Sequence, residues 1–264
     1  DLDPRGLRRA LRPATRLIVT THASNVTGTI MPVEEIGKMT SNRGDVLLCV
    51  DAAQTAGALP IDVKNMSIDL LAFTGHKSLY GPQGTGGIYI REGLEQQITP
   101  LMRGGTGSRS EFEAQPEFMP DKYESGTPNA IGLTGLGAGV SFILEQTVEI
   151  VRAKEEQLTS RFLQQLEEEK DQLTIYGPND AHRQTAVVSF NLKNISPSDA
   201  ALYFEEKWGI MCRPGLHCAP AAHKTIGTFS QGTVRFSFGF FHSEKDIDTA
   251  AAAVRDLLQK ENRL

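Results

Sequence analysis

The chain has 264 residues, 39% of them hydrophobic and 22% charged, with a formal charge of -5. That composition suits a globular protein with a sizeable core, in one large domain or two smaller ones. The charges fall in mixed-sign clusters such as RAKEEQ and EEEKDQ, which leave no basic stripe for nucleic acid. No apolar run is long enough to span a membrane and no segment resembles a signal peptide. Three cysteines, Cys49, Cys212 and Cys218, in no repeated spacing, point to reduced thiols in the cytoplasm.

In chain order, TRLIVTTHA (15–23) is a short apolar run with small polar residues at its end, as in a buried parallel strand. PVEEIGKMTSNRG (32–44) opens on Pro, carries Glu in its first turn and ends near Gly, which predicts a helix. DVLLCVDAA (45–53), SIDLLAFTG (67–75) and TGGIYIRE (85–92) predict further strands, so the first part forms an α/β sheet with a parallel core. From 126 to 165 a Gly-Pro turn leads into a small-residue helix and then a long charged one. Gly132, Gly135, Gly137, Ala138 and Gly139 would let two helices, or two subunits, approach closely. Strand candidates follow at 184–193, 209–215 and 232–239, with helices at 196–209 and 243–263 opened by the N-cap sequences SPSD and SEKD. The expected organisation is a large domain over 1–140, a connecting helix over 141–168 and a smaller α+β domain over 169–264.

Ligands of open α/β sheets sit at the carboxyl ends of the strands. There the sequence places Asn25 after the first strand, Asp51 and Gln54 after the second, and Thr74, His76 and Lys77 after the third. Taken singly, such an Asp is a turn residue or cap, the His is structural, and GPQGTGG is a tight turn without the Gly-Lys-Ser/Thr of a nucleotide loop. Together, one lysine, one carboxylate and several neutral hydrogen-bonding groups suit an aldehyde cofactor with a pyridine ring and a phosphate.

VDAAQTAGALPIDV followed by AFTGHKSLYGPQGTGGIYI resembles the fold-type I, class V aminotransferases, and among them the cysteine desulfurases and selenocysteine lyases. SNVTGT, ESGTPN, RPGLHCAP and GTVRFSFG extend the resemblance over nearly the whole chain. It implies pyridoxal 5'-phosphate bound covalently by Lys77, with Asp51 at its ring nitrogen, Gln54 at its phenolic oxygen, and Thr74 and His76 at its phosphate. It further implies Asn25 as a contact to the substrate carboxylate or the cofactor oxygen, and Arg235 as the clamp on that carboxylate, a role suited to a planar bidentate donor.

Cys218 stands where desulfurases of this kind carry their nucleophile, with His217 beside it in CRPGLHCAP as a further expected catalytic residue, and a neighbouring cation lowers a thiol from its usual pKa of ~8.5. The implied reaction takes sulfur from cysteine or selenium from selenocysteine, leaves a persulfide on Cys218 and releases alanine. A homodimer with shared sites, in which Thr127 reaches the partner's cofactor phosphate, and a sulfur-acceptor protein complete the implied partners. The alternative for Thr127 is a cap on its own helix.

The loop APAAHKTIGTFSQGTV, after Cys218, departs from the best-known desulfurases, and related C–S lyases and epimerases use the same lysine and aspartate without the thiol; the alternatives are another class V enzyme (C–S lyase, selenocysteine lyase, epimerase or aminotransferase) or a truncated, non-catalytic form. The family pattern also implies a segment before Asp1 that carries a phosphate-gripping helix end and an aromatic group stacked on the ring. Cys212, His217, Cys218 and His223 form a further cluster whose spacing fits no standard Cys/His zinc site. Cys49, flanked by Leu48 and Val50, is expected in the core.

Overall fold

The computed structural model describes residues 2–109 and 111–261. Helix α1 (Pro4–Ala10) starts on Asp3, whose carboxylate accepts from Arg5 N at 2.9 Å. Strands β1 (Leu17–Thr21), β2 (Leu47–Asp51), β3 (Leu70–Thr74) and β4 (Gly86–Ile90) form one sheet in that order. The first three run parallel, and β4 turns back antiparallel to β3. Strand alternation sends Ile18, Leu48, Val50 and Leu71 to one face, where they pack with Val33 and Ile36 of helix α2 (Val33–Ser41). Leu48, Val50 and Ile36 are fully buried, each such side chain contributing roughly 1.5–3 kcal/mol. The other face carries Val19, Cys49, Asp51, Thr74 and Ile88, with Val19 67% and Ile88 53% exposed.

A helix pair joins the two halves: α3 (Ala130–Gln146) and α4 (Val148–Gln165), bent by 82°. Thr147 makes the break. It sits at φ 70 and its hydroxyl accepts from Ile150 N at 3.4 Å, so it ends one helix and caps the next. The single connecting helix expected over 141–168 is therefore two helices, and no single helix among the described residues is long and apolar enough to cross a membrane.

The second half is an antiparallel sheet in the order β5-β6-β8-β7: β5 (Leu173–Tyr176), β6 (Val187–Leu192), β7 (Arg213–Gly215) and β8 (Thr233–Ser237). Helices α5 (Pro197–Trp208) and α7 (Glu244–Glu261), with α4, cover it around Phe162, Phe190, Phe204 and Phe236, whose rings meet edge-on or tilted. The short helix α6 (Pro220–Thr225) lies between β7 and β8. Both expected caps are in place: Ser196 Oγ accepts from Asp199 N at 3.1 Å, and Ser243 Oγ from Asp246 N at 3.3 Å.

The two halves are stitched by the turn after β1. Thr185 N donates to Gly28 O at 2.9 Å, Ile30 N to Arg183 O at 3.0 Å, and Ser189 Oγ to Val26 O. The small residues of α3 divide between two surroundings. A Cβ on Gly139 would lie 2.2 Å from Leu79 O, and one on Gly135 would lie 3.0 Å from Pro82. Those glycines admit the segment that follows Lys77, not a second helix. Gly137 and Ala138 face outward beside Ile131, Ser141 and Leu144.

Candidate active site

The lysine loop leaves β3 at Thr74 and is closed by its own backbone. Gly75 N donates to Thr85 O at 2.9 Å, Gly81 N to Gly75 O at 2.8 Å, and Tyr80 N to Lys77 O at 2.9 Å. A Cβ on Gly75 would stand 2.2 Å from Thr85 Oγ1, so only glycine lets the loop fold back on itself here. Lys77 is held at the mouth of a cavity of about 460 Å³ between the two sheets. Burial lowers its ammonium pKa, Asp51 opposes the shift and Arg235 adds to it. A larger cavity of about 900 Å³ lies at the amino ends of β2 and β3, where Asp69 is already engaged by Arg91 at 2.6 Å and Leu48 N at 2.7 Å. The smaller one opens on the carboxyl side of the strands, where ligands of open α/β sheets bind.

Of the residues singled out from sequence, Asn25, Gln54, Lys77, His217, Cys218 and Arg235 line that cavity. Asp51 lies exposed at the end of β2, with Oδ1 accepting from Ala53 N at 2.9 Å. Thr74 Oγ1 and His76 Nδ1 bond to each other at 2.8 Å. Thr127 is exposed, outside the cavity lining, and two residues before Asn129, which is the true N-cap of α3, accepting from Gly132 N at 3.0 Å. Thr127 therefore does not cap its own helix.

Three titratable lining residues escaped the sequence reading: Arg213, Glu155 and Tyr80. Arg213 and Arg235 are direct cross-strand partners on β7 and β8. Arg235 Nη1 donates to Asn25 O at 2.8 Å, while its Nε is buried without a partner, and burial followed by repulsion from Arg213 lowers its pKa. Like charges on directly paired residues repel, and an anion between the two guanidiniums would relieve that repulsion. Arg213 is signalled by its place in RPGLHCAP, but only the β7–β8 register brings it opposite Arg235.

Cys218 is exposed, with its Sγ 3.8 Å from Arg213 Nη2. His217, expected to act beside the thiol, turns inward: the residue is 5% exposed and its ring is bonded to Arg213 O and to His223. Burial lowers its pKa to about 4, so the cation beside the thiol is Arg213. The other cysteines are poorly suited to react. Burial raises Cys49, and pushes Cys212 up to about 11. Among the described residues, no three His, Cys, Asp or Glu side chains converge as a metal site.

Glu155 projects from α4 into the same cavity, 4% exposed, and burial raises its pKa to about 7 against the opposing effect of Arg152. The Tyr80 hydroxyl is also buried, without a well-formed hydrogen bond, and the residue holds a left-handed φ of 55.

A mostly parallel sheet that presents a lysine at its carboxyl edge, faced by a smaller antiparallel unit that presents arginine and cysteine, is the architecture of fold-type I enzymes. Residues 1–249 match the model for the aminotransferase class-V family, and the chain belongs to that family. It is 36% identical over 92% of its length to a protein of Pyrococcus abyssi named "Probable cysteine desulfurase", and covers 60% of that relative. It superposes on the apo structure of a cysteine desulfurase from Thermococcus onnurineus NA1 with a TM-score of 0.85 at 35% identity, covering 93% of this chain and 60% of the other. The TM-score is also 0.85, at 28% identity, for the cysteine desulfurase CsdA from Escherichia coli in its S-sulfonic acid form, covering 97% and 62%. The chain thus spans about 60% of the length of these relatives.

Proposed function

We propose that the protein is a pyridoxal 5'-phosphate-dependent cysteine desulfurase in which Cys218 receives the sulfur. The observation that carries this reading is the convergence on one cavity of an exposed thiol, a lysine and two opposed guanidiniums. The donor set fits the cofactor. Asp51 commits Oδ1 to Ala53 and keeps its second oxygen for a pyridinium nitrogen. Lys77 is shifted toward the neutral amine that an aldehyde requires. Gln54 offers an amide inside the cavity, and Thr74 with His76 offers hydroxyl and imidazole donors at the strand end. When bound, the cofactor supplies an electron sink for bonds around the substrate's α-carbon.

The chain's own groups then have distinct tasks. Arg235, with its unpartnered Nε, and Arg213 bind the substrate carboxylate and fix its orientation. Lys77 Nζ holds and returns a proton at the α-carbon. Cys218 Sγ attacks the substrate sulfur: an S–S bond forms, the substrate's C–S bond breaks, and the bonding pair stays with carbon, which takes up a proton. Alanine leaves and Cys218 keeps the persulfide until an acceptor, such as a sulfur-carrier protein, removes it. Three free thiols support a reducing, cytoplasmic setting. Thr127, exposed and not used as a cap, is available to a second subunit's phosphate site in a homodimer.

The test is to supply purified protein with cofactor and L-cysteine, or selenocysteine as competitor, and to quantify alanine and sulfide. The proposal requires that Lys77→Ala abolish the borohydride-sensitive visible absorbance and both products. It also requires that Cys218→Ser keep the absorbance and lose sulfur release. Undiminished sulfur release by Cys218→Ser would sink it.

A further inference from the structure

The loop that departs from the family pattern, between Cys218 and Arg235, buries a chain of hydrogen bonds whose direction can be worked out. His217 Nε2 lies 2.9 Å from Arg213 O. A carbonyl oxygen only accepts, so the proton is on Nε2. His217 Nδ1, 3.3 Å from His223 Nε2, is then the acceptor, and His223 carries its own proton on Nε2. His223 Nδ1 therefore accepts from Thr228 Oγ1 at 2.7 Å. Thr228, His223, His217 and the Arg213 carbonyl make one neutral relay with every donor and acceptor matched. His223 is fully buried, His217 5% exposed and Thr228 6% exposed, so water does not compete for these bonds.

The relay runs through His217, the residue next to the thiol. His217 and Cys218 hold left-handed backbone angles, φ 51 and 59, which cost energy for residues with a Cβ. Two anchors over-determine them: Asn25 Nδ2 donates to His217 O at 2.7 Å, and the relay grips the His217 ring. We propose that His223 and Thr228 are positioning residues for Cys218, which lock the His217 ring and the Arg213 carbonyl so that the thiol is held at the cavity beside the Arg213 guanidinium. This rests on the reading of Cys218 as the sulfur acceptor. Neither residue lines the cavity.

The first test is spectroscopic and uses the wild-type protein: nitrogen-15-labelled histidine NMR at neutral pH. His217 and His223 should both be neutral with the proton on Nε2; a proton on Nδ1 of either ring overturns the relay. The second compares Thr228→Val, which keeps the shape and removes the donor, with Thr228→Ser, which keeps the donor. Loss of a buried hydrogen bond of this kind predicts a kcat for sulfur release about tenfold lower in Thr228→Val with KM little changed, and recovery in Thr228→Ser to within about twofold. Alkylation of Cys218, followed by mass spectrometry, should depart from wild type about fivefold in Thr228→Val while Cys49 and Cys212 label as before. Equal behaviour of Val and Ser, or parallel changes at all three cysteines, overturns the positioning role. If the wild-type protein releases no sulfur while Cys218 alkylation still separates Val from Ser, the desulfurase reading fails and the positioning role stands.

Discussion

Arg213 and Arg235 stand directly opposite each other on β7 and β8, two guanidiniums lining one cavity, and neither has a carboxylate partner among the described residues. Such a pair is unfavourable until an anion arrives, and the buried, unpartnered Nε of Arg235 marks where it would bind. Arg213 also reaches Cys218, so one side chain touches both the proposed carboxylate site and the thiol. Arg213→Ala is therefore expected to lower kcat/KM for cysteine by roughly 10- to 100-fold, with lysine changing the outcome little because it lacks the planar fork. Steady-state kinetics of both variants, with cofactor absorbance as the control, checks this.

The buried histidines predict an acid-labile fold. Burial lowers His22 and His217 to about 4 from an ordinary 6.5, and lowers His223 as well. The unfolded chain binds more protons than the folded one between these values. Stability is then fully present above about pH 6.5 and lost as pH falls toward about 4. His22, whose Nδ1 is buried without a partner, contributes independently of the relay. Denaturant midpoints between pH 4 and 7 should slope upward with pH, and His22→Gln should flatten part of the slope.

Glu155 works in the opposite direction. Its folded pKa is raised from 4.5 to about 7, so the folded state holds the proton more tightly and the stabilisation is present at low pH. It is lost as pH rises through about 7. Glu155→Gln should therefore gain stability relative to wild type at pH 8 and gain little at pH 4.5. An identical difference at both pH values would count against a buried, protonatable Glu155.

Gly139 predicts a long-range effect on the lysine. An added Cβ would meet Leu79 O at 2.2 Å and Tyr80 C at 3.0 Å, backbone atoms that cannot turn aside. Gly139→Ala should cost about 1–3 kcal/mol and push the Lys77 loop out of place. Cofactor affinity, titrated by absorbance, should fall with stability. Gly137→Ala, with open space around it, serves as the control.

Thr127 is tested with a mixed dimer of Lys77→Ala and Thr127→Ala chains. If Thr127 completes its partner's site, one site of the mixed dimer carries both lesions and the other none, so the lysine-bearing site binds cofactor as in wild type. Weakened binding at that site, as in the Thr127→Ala homodimer, would place Thr127 in its own subunit's site.

Much of this arrangement was legible in the sequence because it is local. The strand runs ending at Asp51 and Thr74 are short and continuously apolar, as buried parallel strands are, and Ser196 and Ser243 begin helices as their hydroxyls dictate. What escaped depends on tertiary contact. Strand β4 reads like its neighbours, and only the tight loop 75–85 reverses it against β3. Thr147 looks like an ordinary helical residue until its positive φ breaks the helix there. β5, with four residues, and α1 and α6, with seven and six, are too short to show a period. Glu155 reads as one charge among several on a charged helix, and only the packing of α4 turns it inward. His217 was expected at the thiol on adjacency alone, yet a left-handed backbone sends neighbouring side chains in different directions.

Asn25 belongs to the turn after β1, yet its side chain holds the His217 carbonyl and its own carbonyl holds Arg235. One residue of the first half thus rivets both segments of the second that carry the proposed site. The site cannot assemble while either core is unformed, so it should be the last part of the molecule to appear on refolding and the first to fail under stress. A destabilising lesion far away in either aromatic or aliphatic core would then register as lost chemistry well before the chain as a whole melts.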